Sequence, residues 1–92
     1  MAEYRITYWR DIPCQVDAFC GADHIKVPLD DRFQALIDTA AMRDGAVGTA
    51  AYLEGWRIGP VLSLAGTPRE VAEAVAADLE GQFAQIRAAA LG

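Results

Sequence analysis

The chain has 92 residues, room for one small domain, and 53% of them are hydrophobic, which supports a core and excludes disorder. Its 8 basic residues face 13 acidic ones, giving a net charge of -5 and a pI of about 4.6. Scattered cations in an acidic chain exclude nucleic acid, whose phosphates need clustered Lys and Arg, and argue equally against an anionic membrane surface.

No apolar run approaches the roughly 20 residues that span a bilayer. The N-terminus lacks a basic region followed by an apolar stretch, so a cytoplasmic protein is expected. A domain this small buries only about 60–65% of its unfolded surface. Much of the apolar content is alanine, so the core is expected to be shallow and to gain from a partner chain. Cys14 and Cys20, placed on one strand at about 3.3 Å per residue, stand about 20 Å apart. That is far beyond the roughly 4.4–6.8 Å between bridged Cα atoms, so both read as thiols.

Tyr4 to Arg10 is rich in aromatic and β-branched residues and reads as a strand. Alternation puts Tyr4, Ile6 and Tyr8 on the core face and Arg5, Thr7 and Trp9 on the other, leaving Trp9 half-exposed or under a helix edge. Pro13 cannot donate to a ladder, so Asp11-Ile12-Pro13 reads as a break. Gln15 to Cys20 alternates again, with Val16, Ala18 and Cys20 on one face. Gly21-Ala22-Asp23 is a turn, and His24 to Leu29 a third strand with Ile25, Val27 and Leu29 inward. Such short connections imply antiparallel neighbours.

Asp30 or Asp31 supplies an N-cap for a helix whose buried face is Phe33, Leu36, Ile37, Ala40 and Ala41. Gly45 serves as its left-handed stop. Thr49 is expected to cap a brief helix, Ala50 to Glu54, before Gly55 and Trp56. The stretch WRIGPVLSL is interrupted by Gly59-Pro60, which places one strand at about Val61 to Ala65. Thr67, Pro68 and Glu70 then form a capping-box helix start. Val71, Val75, Leu79, Phe83, Ile86 and Ala90 continue the helix at near-helical spacing, weakened at Gly81. The order β-β-β-α-(α)-β-α defines an α+β fold over residues 1–92. It is a two-layer sandwich, with about four mainly antiparallel strands covered on one face by two helices.

Together, YRITYWRDIP, DRFQALIDTAAMR and AYLEGW resemble the small bacterial "virulence factor" domain family, a domain also found at the C-terminus of the longer conserved virulence factor C proteins. The likeness is strongest over Tyr4 to Trp56 and looser in the final helix. It implies an accessory role in one-carbon metabolism, beside folate- and corrinoid-dependent methyl-transfer proteins. Its motifs are structural, and it implies no catalytic residue and no bound cofactor.

Trp and Arg are enriched at binding hot spots, so Trp9, Arg10, Asp11, Tyr52, Trp56 and Arg57 form the candidate partner-binding set, for a protein partner or a second copy. The plainer reading has both indoles capping the core edge and the arginines pairing with nearby acids. A runner-up reading places a folate or corrinoid in a pocket near Trp9 and Trp56. A third makes Cys20 and His24 a thiol–imidazole pair; against it, a lone strand-end His and a small core Cys are commonplace. The acidic residues of the helices sit at helix starts and on polar faces, where carboxylates favour the macrodipole or water. GWRIGPVLSLAGTPRE lacks the spacing of a phosphate loop.

Overall fold

The aromatic and β-branched N-terminal run forms the strand on which the sheet is built. A computed structural model describes all residues 1–92. It has β1 (Ala2–Trp9), β2 (Ile12–Cys20), β3 (Asp23–Pro28), α1 (Asp31–Arg43), α2 (Ala50–Glu54), β4 (Trp56–Ile58), β5 (Leu62–Leu64), α3 (Pro68–Gly81) and α4 (Phe83–Leu91). The sheet runs β3-β2-β1-β4, with β5 also on β1, and every pairing is antiparallel. The fold is an α+β two-layer sandwich, as the element order implied. Five strands replace the expected four because both halves of WRIGPVLSL pair with β1, on either side of the Gly59-Pro60 break. Four helices replace the expected two long and one short because the last helix stops at Gly81 and restarts at Phe83.

Register fixes the faces. Ile6 lies opposite Val16 and Tyr4 opposite Ala18, and the buried Ala2, Ile6, Val16 and Ala18 join the core. Phe33, Leu36, Ile37, Ala40 and Ala41 of α1 are all buried, as are Val71, Ala72 and Ala76 of α3. On the other face Arg5 is opposite Asp17, and its guanidinium lies 5.5 Å from the Phe19 ring. Gln15 donates to Asp17 at 3.0 Å. Asp17 among them is only 6% exposed.

The sequence-based break at Ile12-Pro13 is corrected: both residues are buried members of β2. Tyr8 pairs with Pro13 and Thr7 with Gln15, so Cys14 is the extra residue of a β-bulge. A bulge frees a strand position from the ladder, which lets a proline sit beside it. The Cys14 carbonyl instead accepts the Leu29 N–H at 2.9 Å, tying the end of β3 to the sheet.

The helix ends follow local chemistry. Asp30 caps α1 by accepting from the Arg32 N–H at 3.1 Å. The capping box of α3 is complete, with Glu70 N–H donating to Thr67 Oγ1 and Thr67 N–H to Glu70. The Thr67 backbone N–H, and after it the Thr67 side chain, favour the ionised Glu70 and hold its carboxyl below the usual carboxylate range. Thr49 does not cap α2; its hydroxyl donates back to the Ala46 carbonyl at 2.6 Å. Arg32 ties α1 to α3 and α4: it donates to Glu80 of α3 at 2.9 Å and lies 4.4 Å over the Phe83 ring, which meets Phe33 edge-on at 5.0 Å.

Gly81 closes α3 with nothing within 4 Å of where a Cβ would stand, and its φ is not in the left-handed region. Replacing it with alanine removes backbone freedom from the unfolded chain at no steric cost. Gly81→Ala is expected to stabilise the protein by about 0.5–1 kcal/mol in urea unfolding.

Candidate partner-binding site

The β1–β2 hairpin turns on only two residues, Arg10 and Asp11, since Trp9 pairs with Ile12. Two-residue hairpin turns require positive φ at the first central position, usually supplied by glycine or asparagine. Here Arg10 takes it, at φ 53°, a conformation that costs a residue with a Cβ about 1–2 kcal/mol. Several contacts hold Arg10 in place. Its N–H donates to the Gly55 carbonyl at 2.7 Å, and its carbonyl accepts from Arg57 Nε at 2.9 Å. Its guanidinium covers the Trp9 ring at 4.4 Å and pairs with Asp44.

The tip is assembled from two stretches more than forty residues apart. Trp9 pairs with Trp56 and Tyr8 with Arg57 across β1 and β4. Trp9 Nε1 donates to the Tyr52 carbonyl at 2.8 Å. Tyr52 lies 5.8 Å from the Trp9 ring and 6.2 Å, edge-on, from Trp56. Arg57 covers the Tyr8 ring at 4.3 Å and reaches Asp11 at 3.4 Å. All six candidate residues therefore meet at one end of the sheet.

One of them is not a surface residue. Alternation alone would direct Trp9 away from Ile6, but the indole joins the same core cluster as Ile6, with Tyr52 packed against its ring, and is 0% exposed. Trp9 is a core residue, and its truncation tests folding, not association. Trp56 and Tyr52 are half-buried, while Arg10, Asp11 and Arg57 are exposed. The ion pairs at the tip are solvent-facing, so they set geometry more than stability.

Beside the tip, a groove of about 360 Å³ opens between the hairpin and α1 and α4. Its floor is Trp9, Ile12, Ala40 and Ile86, and its rim carries Arg10, Asp44 and Gln85. Trp56 does not line it, so the expected pocket between sheet and helices near Trp9 and Trp56 is corrected to one that only Trp9 flanks. Asp44 and Gln85 carried no local signal in the sequence, and the helical spacing that picked out Ile86 does not place it beside the hairpin; only helix packing brings the three together.

The thiol–imidazole pair does not assemble. His24 pairs with Phe19 and Cys20 with Asp23, so neighbouring positions point to opposite faces of the β2–β3 hairpin. His24 rests instead against Phe19, with Asp17 at 3.7 Å. Both cysteines are free; burial, and then the Asp17 charge, push the Cys14 thiol up. The helix carboxylates have local partners: Glu80 binds Arg32, Glu73 pairs with Arg69, and Asp38 and Asp78 accept from glutamines. Nowhere do three His, Cys, Asp or Glu side chains converge as metal ligands. No helix is long and apolar enough to cross a membrane.

Sheet and helices together define a small α+β domain with an aromatic- and arginine-rich hairpin tip. A family model described as "Virulence factor" matches residues 7–91, nearly the whole chain and through the final helix. The chain belongs to that virulence factor family. No curated protein and no solved structure matches it.

Gly55 shows how tightly the tip is built. A Cβ there would stand 2.5 Å from Trp9 Nε1 and 2.8 Å from Cε2. The indole is fully enclosed and cannot give way. Gly55→Ala is expected to cost about 1–3 kcal/mol in urea unfolding, with a red shift of indole emission as Trp9 is wetted.

Proposed function

We propose that the chain is a non-catalytic accessory domain that docks a protein partner through the surface around Trp56 and Arg57. The observation that supports this most is the convergence at the hairpin tip. Beside Tyr52, Trp56, Arg10 and Arg57 stand two unpartnered apolar side chains, Leu53 at 70% and Ile58 at 63% exposure. Trp, Tyr and Arg dominate binding hot spots, and adjoining exposed apolar groups mark contact surfaces. The strained, over-determined turn at Arg10 keeps this surface rigid, which lowers the entropy cost of binding. The family resemblance, with its implied neighbourhood of methyl-transfer proteins, points the accessory role toward one-carbon metabolism in the bacterial cytoplasm.

The groove beside Trp9 supports a second reading, binding of a small molecule of the methyl-transfer system. Its volume lies at the lower end of ligand pockets, enough for a planar head group such as a pterin. A corrinoid macrocycle is too large to enter it.

The test uses the tagged chain in extracts of its own host. One protein retained in stoichiometric amount is expected, falling at least about tenfold, 1.4 kcal/mol, in a Leu53→Asp, Arg57→Glu variant with an unchanged thermal melt. Retention that ignores the double variant, or no retained protein, overturns the docking reading. Folate titrated into the isolated chain tests the second: saturable quenching of indole emission supports it, and a flat titration overturns it.

A further inference from the structure

The two edges of the sheet are finished differently. The β3 edge exposes Asp23, His24, Lys26 and Pro28. Charges and proline are the usual guards against edge-to-edge pairing. On the opposite edge Arg57 and Pro60 stand before β5, but β5 itself carries neither charge nor proline. β5 hydrogen-bonds to β1 on one side, and no strand pairs with its other side. Along this edge Val61, Leu62 and Leu64 are 50%, 45% and 41% exposed. The stretch from Ile58 to Gly66, IGPVLSLAG, carries no charged residue.

We propose that this edge pairs with a second copy of the chain, β5 against β5 in antiparallel register about a two-fold axis through Ser63. The sequence of the strand favours a copy of itself over any other occupant. Leu62-Ser63-Leu64 reads the same in both directions, and Val61 and Ala65 extend the match. In the antiparallel register Leu62 of each chain lies opposite the partner subunit's Leu64, and Val61 opposite the partner subunit's Ala65. Leu62 and Leu64 share one face of their strand, so the two cross-strand leucine pairs stack side by side. A two-fold contact must be self-complementary, and this segment is so along its whole length. Charge points the same way. Each copy carries a net charge of -5, and the strip from Ile58 to Gly66 is where two acidic chains can meet without like charges in register. Pairing joins two five-stranded sheets into one and satisfies the open backbone groups of both edges.

The strip is short beside the roughly 800 Å² per partner of a standard interface, so the dimer is weak and reversible. Because two acidic bodies approach, it tightens with salt. The paired strand is β5, which holds neither Leu53 nor Arg57; the strip meets the docking surface only at Ile58, and the proposal does not rest on the docking reading.

Sedimentation equilibrium across micromolar to near-millimolar protein tests it. The weight-average mass is expected to rise from 9.9 kDa toward twice that value. A Leu62→Lys, Leu64→Lys variant places lysine opposite lysine and is expected to weaken the dimer at least about tenfold. A Leu62→Glu, Leu64→Lys variant places Glu opposite Lys only in this antiparallel register, and it restores association. Thermal melts within a few degrees of the parent show that both variants fold. A parent that stays at 9.9 kDa throughout, or a dimer indifferent to the lysine pair, overturns the proposal. Failure of the Glu–Lys variant to recover association overturns the register through Ser63.

Discussion

The structure depends most on the enclosure of one indole. Trp9 ends β1, where alternation alone would turn its side chain away from the core, and a bare indole there would waste its area and leave its N–H to water. The chain returns more than forty residues later and covers it. Tyr52 supplies both a ring and a carbonyl acceptor, and Gly55 passes close enough that any side chain would collide. Once that closure is made, Trp56 falls opposite Trp9 and Arg57 opposite Tyr8, and β4 is in register. The Gly55 carbonyl then meets the Arg10 N–H and holds the hairpin turn at a positive φ that arginine would not choose alone.

The strain at Arg10 and the character of the surface around it have the same origin. A turn held from four sides cannot relax, so the charged and aromatic groups on it keep fixed positions. Arg10 shields one face of the indole while Arg57 shields Tyr8. The region is ordered by contacts that belong to folding, and what remains outside it, Leu53 and Ile58 beside the half-buried Trp56, is exposed apolar surface. The far end of the molecule is fastened separately, through Arg32, Glu80 and the Phe33–Phe83 pair.

The outer sheet face needs no helix because its own side chains cover it. Arg5, Gln15, Phe19 and His24 lie around Asp17 and bury it almost completely. Asp17 accepts a hydrogen bond from Gln15, as a buried carboxylate should. A two-layer fold therefore survives with a polar second face, and its edges become the places where the design is visibly unequal.

The sequence by itself determined the elements whose signals are local. The period of α1 named its five buried residues, and the capping box at Thr67 named the start of α3. Alternation grouped Val16, Ala18 and Cys20 on one face, of which the structure buries the first two and exposes Cys20 at the strand end, and three linked motifs carried the family resemblance. These hold because a helical face, a cap and an alternating strand are set by neighbours within a few positions. Only the tertiary structure decided the rest. The bulge at Cys14 absorbs Pro13 into β2, and the break at Gln82 divides the last helix. The Tyr52–Trp56 segment turns Trp9 from a half-exposed side chain into a core one, and the groove takes Asp44 and Ile86 from helices that no local pattern links to the hairpin. The candidate site was legible as a set of residue types, Trp and Arg near Asp, but its geometry was not. A side chain's exposure depends on what distant segment closes over it, and no periodicity within β1 records that closure.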